Sequence, residues 1–464
     1  MGGSRFNDRM TVAVLDIGKT NLKLVVVDAA GTTLHRDGRA NRMVAAPPYP
    51  HEDADAIFAW CLEALARSPG REAIDTIVPV THGCAAALLA GDRLALPVLD
   101  YEHDGPDATG AAFAAAADPF TLSFTPRLPL GLVLGRQIVW QAQAFPAAFA
   151  RVTDILTYPQ YWSWRLSGVK ASEVTLLGCH TGLWRPAERR FGGLVERAGW
   201  TPLMPPLRSA WEALGTLRPE VAAAAGLLPS CRVLCGIHDS NASYLAHLAT
   251  EAAPFTVIST GTWMIIMVAG GRLERLDERY DMLANVDVNG DPVTTARFMG
   301  GREFAAVAGE GAAPAAERDI ALRLIRRGSM ALPSFVPESG PFMGRRGALV
   351  GPSAQGPAER VALASLYCAL VAEVMLERLA ADGPLIVEGP FAANEVFLAA
   401  LATLHPGRRV TGSTDASGTT AGAALLAAWP AGGRAGPSTP APAPLDGFAD
   451  YRRRWRDLLA NAVE

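Results

Sequence analysis

Val12-Ala13-Val14-Leu15-Asp16-Ile17-Gly18-Lys19-Thr20-Asn21-Leu22-Lys23-Leu24-Val25-Val26-Val27-Asp28 is a β-rich apolar run, a polar turn and a second β-rich run. That pattern predicts a β-hairpin. A stretch of the same form stands past the middle of the chain: Phe255-Thr256-Val257-Ile258-Ser259-Thr260-Gly261-Thr262-Trp263-Met264-Ile265-Ile266-Met267-Val268. Gly18 and Gly261 lack a Cβ, so an anion can approach the backbone there. The turn N–H groups and the threonine hydroxyls are donors suited to phosphate oxygens. One such hairpin in each half suggests two domains that grip one polyphosphate.

The rest of the chain sets bounds on that reading. Its 464 residues exceed one ordinary core, so two domains are expected. Half of the residues are hydrophobic and the net charge is only -4, with the arginines scattered. Without a basic stripe, nucleic acid is not an expected partner. Met1 to Met10 contains no apolar core of a secretory signal. No uninterrupted apolar run approaches the roughly 20 residues that span a bilayer. The expectation is therefore a cytoplasmic protein with no membrane partner. The six cysteines are dispersed, and Cys231 and Cys235 have no second Cys or His pair to complete a zinc framework. They read as buried, reduced thiols.

Periodicity predicts α/β architecture. Residues 11–40 read as a three-strand meander, 54–67 as a helix, and 74–80 as a buried strand ending in Thr81-His82-Gly83. Residues 107–117 look helical, while 121–150 mix Pro, Gly and apolar residues without a clear period. The aromatics Tyr158, Tyr161, Trp162 and Trp164 have helical spacing and read as core. Residues 233–236 predict a short strand running into His238-Asp239-Ser240-Asn241, then a helix from Ala242 to Leu248. The domain boundary is expected near 246–254, giving domains 1–248 and 249–464. In the second half, helices are predicted over 363–379, 394–404 and 419–428, with a strand at 385–388. A Pro/Gly/Ala linker at about 430–444 leads to a last amphipathic helix over 451–459. No sequence repeat beyond the two hairpins is visible.

Five ordered segments resemble the FGGY carbohydrate kinases of the actin-like ATPase superfamily. Asp16-Ile17-Gly18-Lys19-Thr20-Asn21 is similar to the first phosphate motif and Gly236-Ile237-His238-Asp239-Ser240 to the catalytic-aspartate segment. Ser259-Thr260-Gly261-Thr262 is similar to the second phosphate motif. Gly389-Pro390-Phe391-Ala392-Ala393-Asn394 resembles the adenosine motif, and Thr420-Ala421-Gly422-Ala423-Ala424 the small-residue helix that closes the nucleotide site. The chain departs from the family in having Gly389-Pro390 where Gly-Gly is frequent, Gly135-Arg136-Gln137-Ile138-Val139-Trp140 before its tryptophan, and a sugar segment, Thr81-His82-Gly83 with Asp100-Tyr101-Glu102, unlike that of xylulokinases.

The resemblance implies two actin-like (ribonuclease H-like) α/β domains with an interdomain active-site cleft. It implies ATP and Mg²⁺ as cofactors, a sugar as substrate, and a homodimer as a state common in the family. Asp239 is then the general base, in a position where an aspartate also favours the start of a helix. Asp16, with Asp239, is the expected magnesium ligand, through waters. Gly18, Lys19, Thr20, Asn21, Gly261, Thr262, Gly389, Pro390, Phe391 and Asn394 are the expected nucleotide contacts; Lys19 is a better phosphate contact than Lys23. His82, Gly83, Tyr101, Glu102, His238 and Asp239 are the expected sugar contacts, and Glu173 is a weaker one. Trp263 reads as a strand residue packed in the core. The expected reaction is phosphorylation of a ketose such as L-rhamnulose or L-fuculose. The rivals are a kinase of another polyol such as glycerol or erythritol, a non-catalytic sugar sensor, and an actin-like ATPase acting on a partner. The sensor is disfavoured by Asp16, Asp239 and both phosphate turns. No helix-turn-helix precedes residue 11, which disfavours a DNA-binding form.

Overall fold

The computed structural model describes residues 10–413, 418–430 and 438–461. The stretch 1–9 and residues 431–437 of the expected linker lie outside the described residues. The chain divides into two compact units. One is Met1–Thr250 with Ala284–Pro292 and Ser417–Ala435; the other is Glu251–Leu283 with Val293–Ala416 and Gly436–Glu464.

In the first unit, Thr11–Ile17 pairs antiparallel with Asn21–Asp28, which pairs antiparallel with Thr33–Ala40. On its other side Thr11–Ile17 pairs parallel with Thr76–Thr81, and Arg232–Leu234 and Ile237–His238 continue parallel to that strand. Every residue of Thr11–Ile17 and Thr76–Thr81 is buried, as both faces of the sheet are covered. Successive side chains point to opposite faces. Ala13, Leu15 and Ile17 join one core with Ile57, Trp60, Tyr158 and Trp162; Val12 and Val14 join another with Ala242, Leu245 and Ala423.

The second unit repeats the plan. Phe255–Thr260 pairs antiparallel with Met264–Ala269, which pairs antiparallel with Pro292–Phe298. On the other side Phe255–Thr260 pairs parallel with Leu385–Glu388, and that strand with Val410–Ser413. The topology repeats although the residues outside the hairpins do not. Helix Gly356–Leu379 runs beneath this sheet's core and begins well before the predicted start at Leu363. Its first turns are exposed and polar, so no apolar period marks them.

The unclear region contains helices Phe120–Ser123, Leu134–Ala144 and Pro146–Phe149. All six cysteines are free and buried. No helix among the described residues is long and apolar enough to cross a membrane.

Helix Asp239–Leu248 starts at Asp239 rather than at Ala242, and His238 occupies the cap position. The small-residue helix Gly418–Leu425 packs on it. A Cβ at Gly422 would overlap the carbonyl of Ala242, and Ser243 and Thr419 hydroxyls meet at 2.8 Å. Propensity alone would favour alanine at Gly422 by about 1 kcal/mol, but overpacking costs about 1–3 kcal/mol. Gly422→Ala is therefore expected to lower the thermal unfolding midpoint; an unchanged or higher midpoint would show that the two helices do not depend on this contact.

Candidate functional site

Three parallel strand ends build the site in the first unit. Asp16 sits opposite Val80, and Val80 opposite Ile237; one step on, Ile17, Thr81 and His238 are level. The chain leaving each strand therefore delivers Gly18, His82 and Asp239 at one edge of the sheet. The carboxyl ends of parallel strands are where open α/β sheets bind ligands. Gly18 is required by the turn itself, because a Cβ there would lie 2.9 Å from the Asn21 carbonyl oxygen. Thr20 and Asn21 are exposed at the tip of the turn.

Asp16 is buried, and its carboxylate lies 3.3 Å from the Lys23 ammonium. Burial pushes its pKa up, Lys23 pulls it down, and the charge of Asp239 pushes it up again, with a net rise. Asp239 is one-third exposed, and its Oδ1 accepts from the Ser240 N–H at 2.6 Å and lies 3.1 Å from His238 Nε2. The charge of Asp239 is felt at Asp16, and two carboxylates placed this way suit a divalent cation. Among the described residues no cluster of three or more His, Cys, Asp or Glu could hold a metal alone. Two carboxylates fit Mg²⁺, which keeps waters and takes phosphate oxygens.

Lys19 ion-pairs with Asp100, lies 3.7 Å from Glu102 and sits 4.5 Å above the Tyr101 ring. Asp100 also accepts from the Glu102 N–H at 3.0 Å. The segment 100–102 thus meets the turn of the first hairpin directly. Tyr101 is half-buried and packs edge-on against His82, while Glu102 is exposed.

His82 has both ring nitrogens occupied, by the Gly83 carbonyl at 2.8 Å and Glu52 at 3.1 Å. Burial alone would lower its pKa, but the Glu52 hydrogen bond and charge and the Gly83 carbonyl raise it above its ordinary value. Asn41 donates to both Glu52 and the Gly18 carbonyl at 3.0 Å. His82 therefore joins a network leading to the turn of the first hairpin. At Gly83 a Cβ would lie 2.9 Å from His238 Nε2, so glycine lets that ring approach. The His238 N–H donates to the Thr175 hydroxyl at 3.2 Å, which donates to Glu173 Oε2 at 2.6 Å. Glu173 is fully buried and caps helix Val174–Leu177. It is thus placed behind His238 and Asp239, away from solvent.

In the second unit, Ser259 and Glu388 are level on parallel strands, so Gly261 and Gly389 emerge together. The Thr260 hydroxyl donates to the Glu388 carbonyl and accepts from the Phe391 N–H. A Cβ on Gly261 would meet nothing closer than 3.8 Å, so the space before it is open. Gly389 has a φ of +76°, and a Cβ would overlap the Thr260 carbonyl. Gly389 and Pro390 are exposed, but Phe391 and Asn394 face the core. Phe391 packs against Phe304 and Phe397, and Asn394 is spent on the Phe397 N–H and the Ser365 hydroxyl. The 3₁₀ turn Gly389–Ala393 rotates those two side chains inward. Trp263 belongs to the turn rather than the strand core; it is half-buried, with the Arg297 guanidinium 4.7 Å above its ring. Sequence reasoning also missed Asn41, Glu52 and Gly301. The Gly301 N–H donates to the Thr262 carbonyl at 3.2 Å.

Residues 252–435 match the model of the carbohydrate kinase FGGY C-terminal domain. The chain is 36% identical to a carbohydrate kinase from Novosphingobium aromaticivorans of known structure. That likeness covers 97% of this chain and 98% of that one at a TM-score of 0.90. A xylulose kinase from Rhodospirillum rubrum is 19% identical over 97% of this chain and 98% of its own, at a TM-score of 0.77. An L-fuculokinase from Salmonella typhi is 26% identical over 279 residues. The aligned stretch takes in 57% of this chain and only 57% of that protein's length. The solved structures show the fold as α/β with two actin-like domains.

Burial raises the Glu173 pKa from 4.5 to about 7. The folded protein then keeps a proton that the unfolded chain has released between those values. Stability tied to this residue is full below 4.5 and is lost as pH rises through about 7. The neutral Glu173→Gln should gain on wild type between about pH 5 and pH 8, by up to ~3 kcal/mol. Urea unfolding at both pH values measures this, and a difference that does not grow with pH would contradict it.

Proposed function

The chain belongs to the FGGY family of carbohydrate kinases, and from that premise we propose that it transfers the γ-phosphoryl group of ATP to a hydroxyl of a ketose of the L-fuculose or L-rhamnulose kind. The observation that carries the reading is the alignment of Gly18, His82 and Asp239 at three level strand ends. That alignment brings a phosphate turn, a sugar segment and a carboxylate to one edge. The partial likeness to an L-fuculokinase supports the ketose class.

In this reading Asp239 is the general base. Its Oδ1 is held by the Ser240 N–H and His238, so Oδ2 accepts the proton of the attacking hydroxyl. The fixed first turn of its helix keeps that oxygen oriented, and orientation is most of what phosphoryl transfer asks of the protein. Tyr101, Glu102, Gly83 and His238 border the sugar. His82, with both nitrogens engaged, positions Glu52 and the phosphate turn. In the first unit the exposed Thr20 and Asn21 offer donors suited to phosphate; in the second unit the half-buried Gly261 and exposed Thr262 do the same, and Gly389 and Pro390 border the adenosine. Phe391 and Asn394 serve it by shaping the turn beneath. Asp16 and Asp239 would hold Mg²⁺, which neutralises phosphate charge when bound.

Asp239→Asn is expected to lower kcat by about 10²–10⁴-fold, the weight of general base catalysis. Sugar binding should survive in part, because the remaining contacts persist. Turnover close to wild type on the true sugar would remove Asp239 from the mechanism.

A further inference from the structure

Both lysines of the first hairpin are spent on carboxylates of the protein. Lys23 lies against Asp16, and Lys19 pairs with Asp100, which comes from a segment 81 residues away. The Lys19 side chain is 14% exposed and that of Asp100 10%, whereas the neighbouring Thr20 and Asn21 are open to solvent. The turn thus presents its neutral donors outward and folds its cation back onto an acid. A partly buried pair is screened less than a surface one. It is still held by one ammonium on a flexible stem with three rotatable donors, so it can change partners.

We propose that Lys19 is an exchangeable link between nucleotide and sugar: phosphate oxygens of the nucleotide draw it from Asp100, and Asp100 is then freed to accept a hydrogen bond from a sugar hydroxyl. This rests on the kinase reading. The two moves help each other. A carboxylate this buried is costly when it loses its counter-charge and keeps only the Glu102 N–H, so a sugar hydroxyl stabilises the state in which Lys19 has left. A phosphate, in turn, gives Lys19 a charge-assisted bond to replace the one it loses. Coupling of this kind is reciprocal by thermodynamic necessity. The exposed Glu102, 3.7 Å from the ammonium, is the intermediate partner along the way. The Tyr101 ring, beneath Lys19 and edge-on to His82, would sense the exchange from the sugar side.

Calorimetric titration with Mg²⁺ and AMP-PNP, without sugar, tests this on wild type, Asp100→Asn, Lys19→Met and the double variant. Asp100→Asn keeps the acceptor for the Glu102 N–H but releases Lys19, and should tighten the analogue by about two- to fivefold, the weight of such a pair. A gain in affinity cannot come from misfolding. Lys19→Met should weaken the analogue, and Asp100→Asn added to it should then change affinity by less than about twofold, because the two residues act as one. Unchanged or weaker binding by Asp100→Asn overturns the proposal. So does a tightening that persists undiminished in the Lys19→Met background, which would mark a general charge effect. Failure of the wild type to bind AMP-PNP at all is a different result: it removes the kinase reading, and this inference with it.

Discussion

Parallel pairing of Thr76–Thr81 with Thr11–Ile17 on one side and Ile237–His238 on the other fixes everything at the site of the first unit. A one-residue slip would turn each strand's buried residues to the opposite face, so the two cores on the faces of the sheet enforce the register. Because the register is enforced, the strands end level. The first hairpin turn, the His82-Gly83 segment and Asp239 then arrive together without any long-range design of their own. The second unit uses the same constraint, where Ser259 level with Glu388 delivers Gly261 beside Gly389.

The edge so formed is rich in acids, and their management decides what it can bind. Asp16, Glu52, Asp100 and Glu173 are all buried. Glu52 is satisfied by His82 and Asn41, while Glu173 is bonded to Thr175 through Oε2 and its buried Oε1 has no partner among the described residues. Asp16 and Asp100 instead rely on lysines that carry flexible stems. Glu52 and Glu173 are bonded by polar groups of the fold, while the lysine-paired acids lie beside the first hairpin turn or touch it. A ligand that brings its own cation and phosphates is suited to disturb only the second group.

Much of this was legible in the residues. The hairpins were readable because an apolar run, a polar turn and a second run have few alternatives, and the place of Asp239 just past a strand end was readable from the short apolar run before it. The helix start was legible only as a capping preference at Asp239, since the apolar period begins at Ala242; the cap itself is His238, with no side-chain bond. Glu52 and Asn41 carry no local pattern, and the pairing of Asp100, itself in a segment the sequence marks, with Lys19 is not legible; these roles arise from partners far along the chain. Phe391 and Asn394 lie in a motif read as nucleotide-facing, yet a 3₁₀ turn aims them inward, a rotation that spacing alone does not encode. Trp263 sits in the turn under Arg297, which only the pairing of Met264–Ala269 with Pro292–Phe298 brings near.

The central claim is that the aligned strand ends serve phosphoryl transfer to a sugar. Coupled measurement of ADP release from Mg²⁺-ATP, with a panel of ketoses and polyols added one at a time, tests it most directly. The account predicts that a ketose raises ADP release far above the sugar-free rate and appears as its phosphate in equal amount. ADP release that no sugar in the panel stimulates would contradict it.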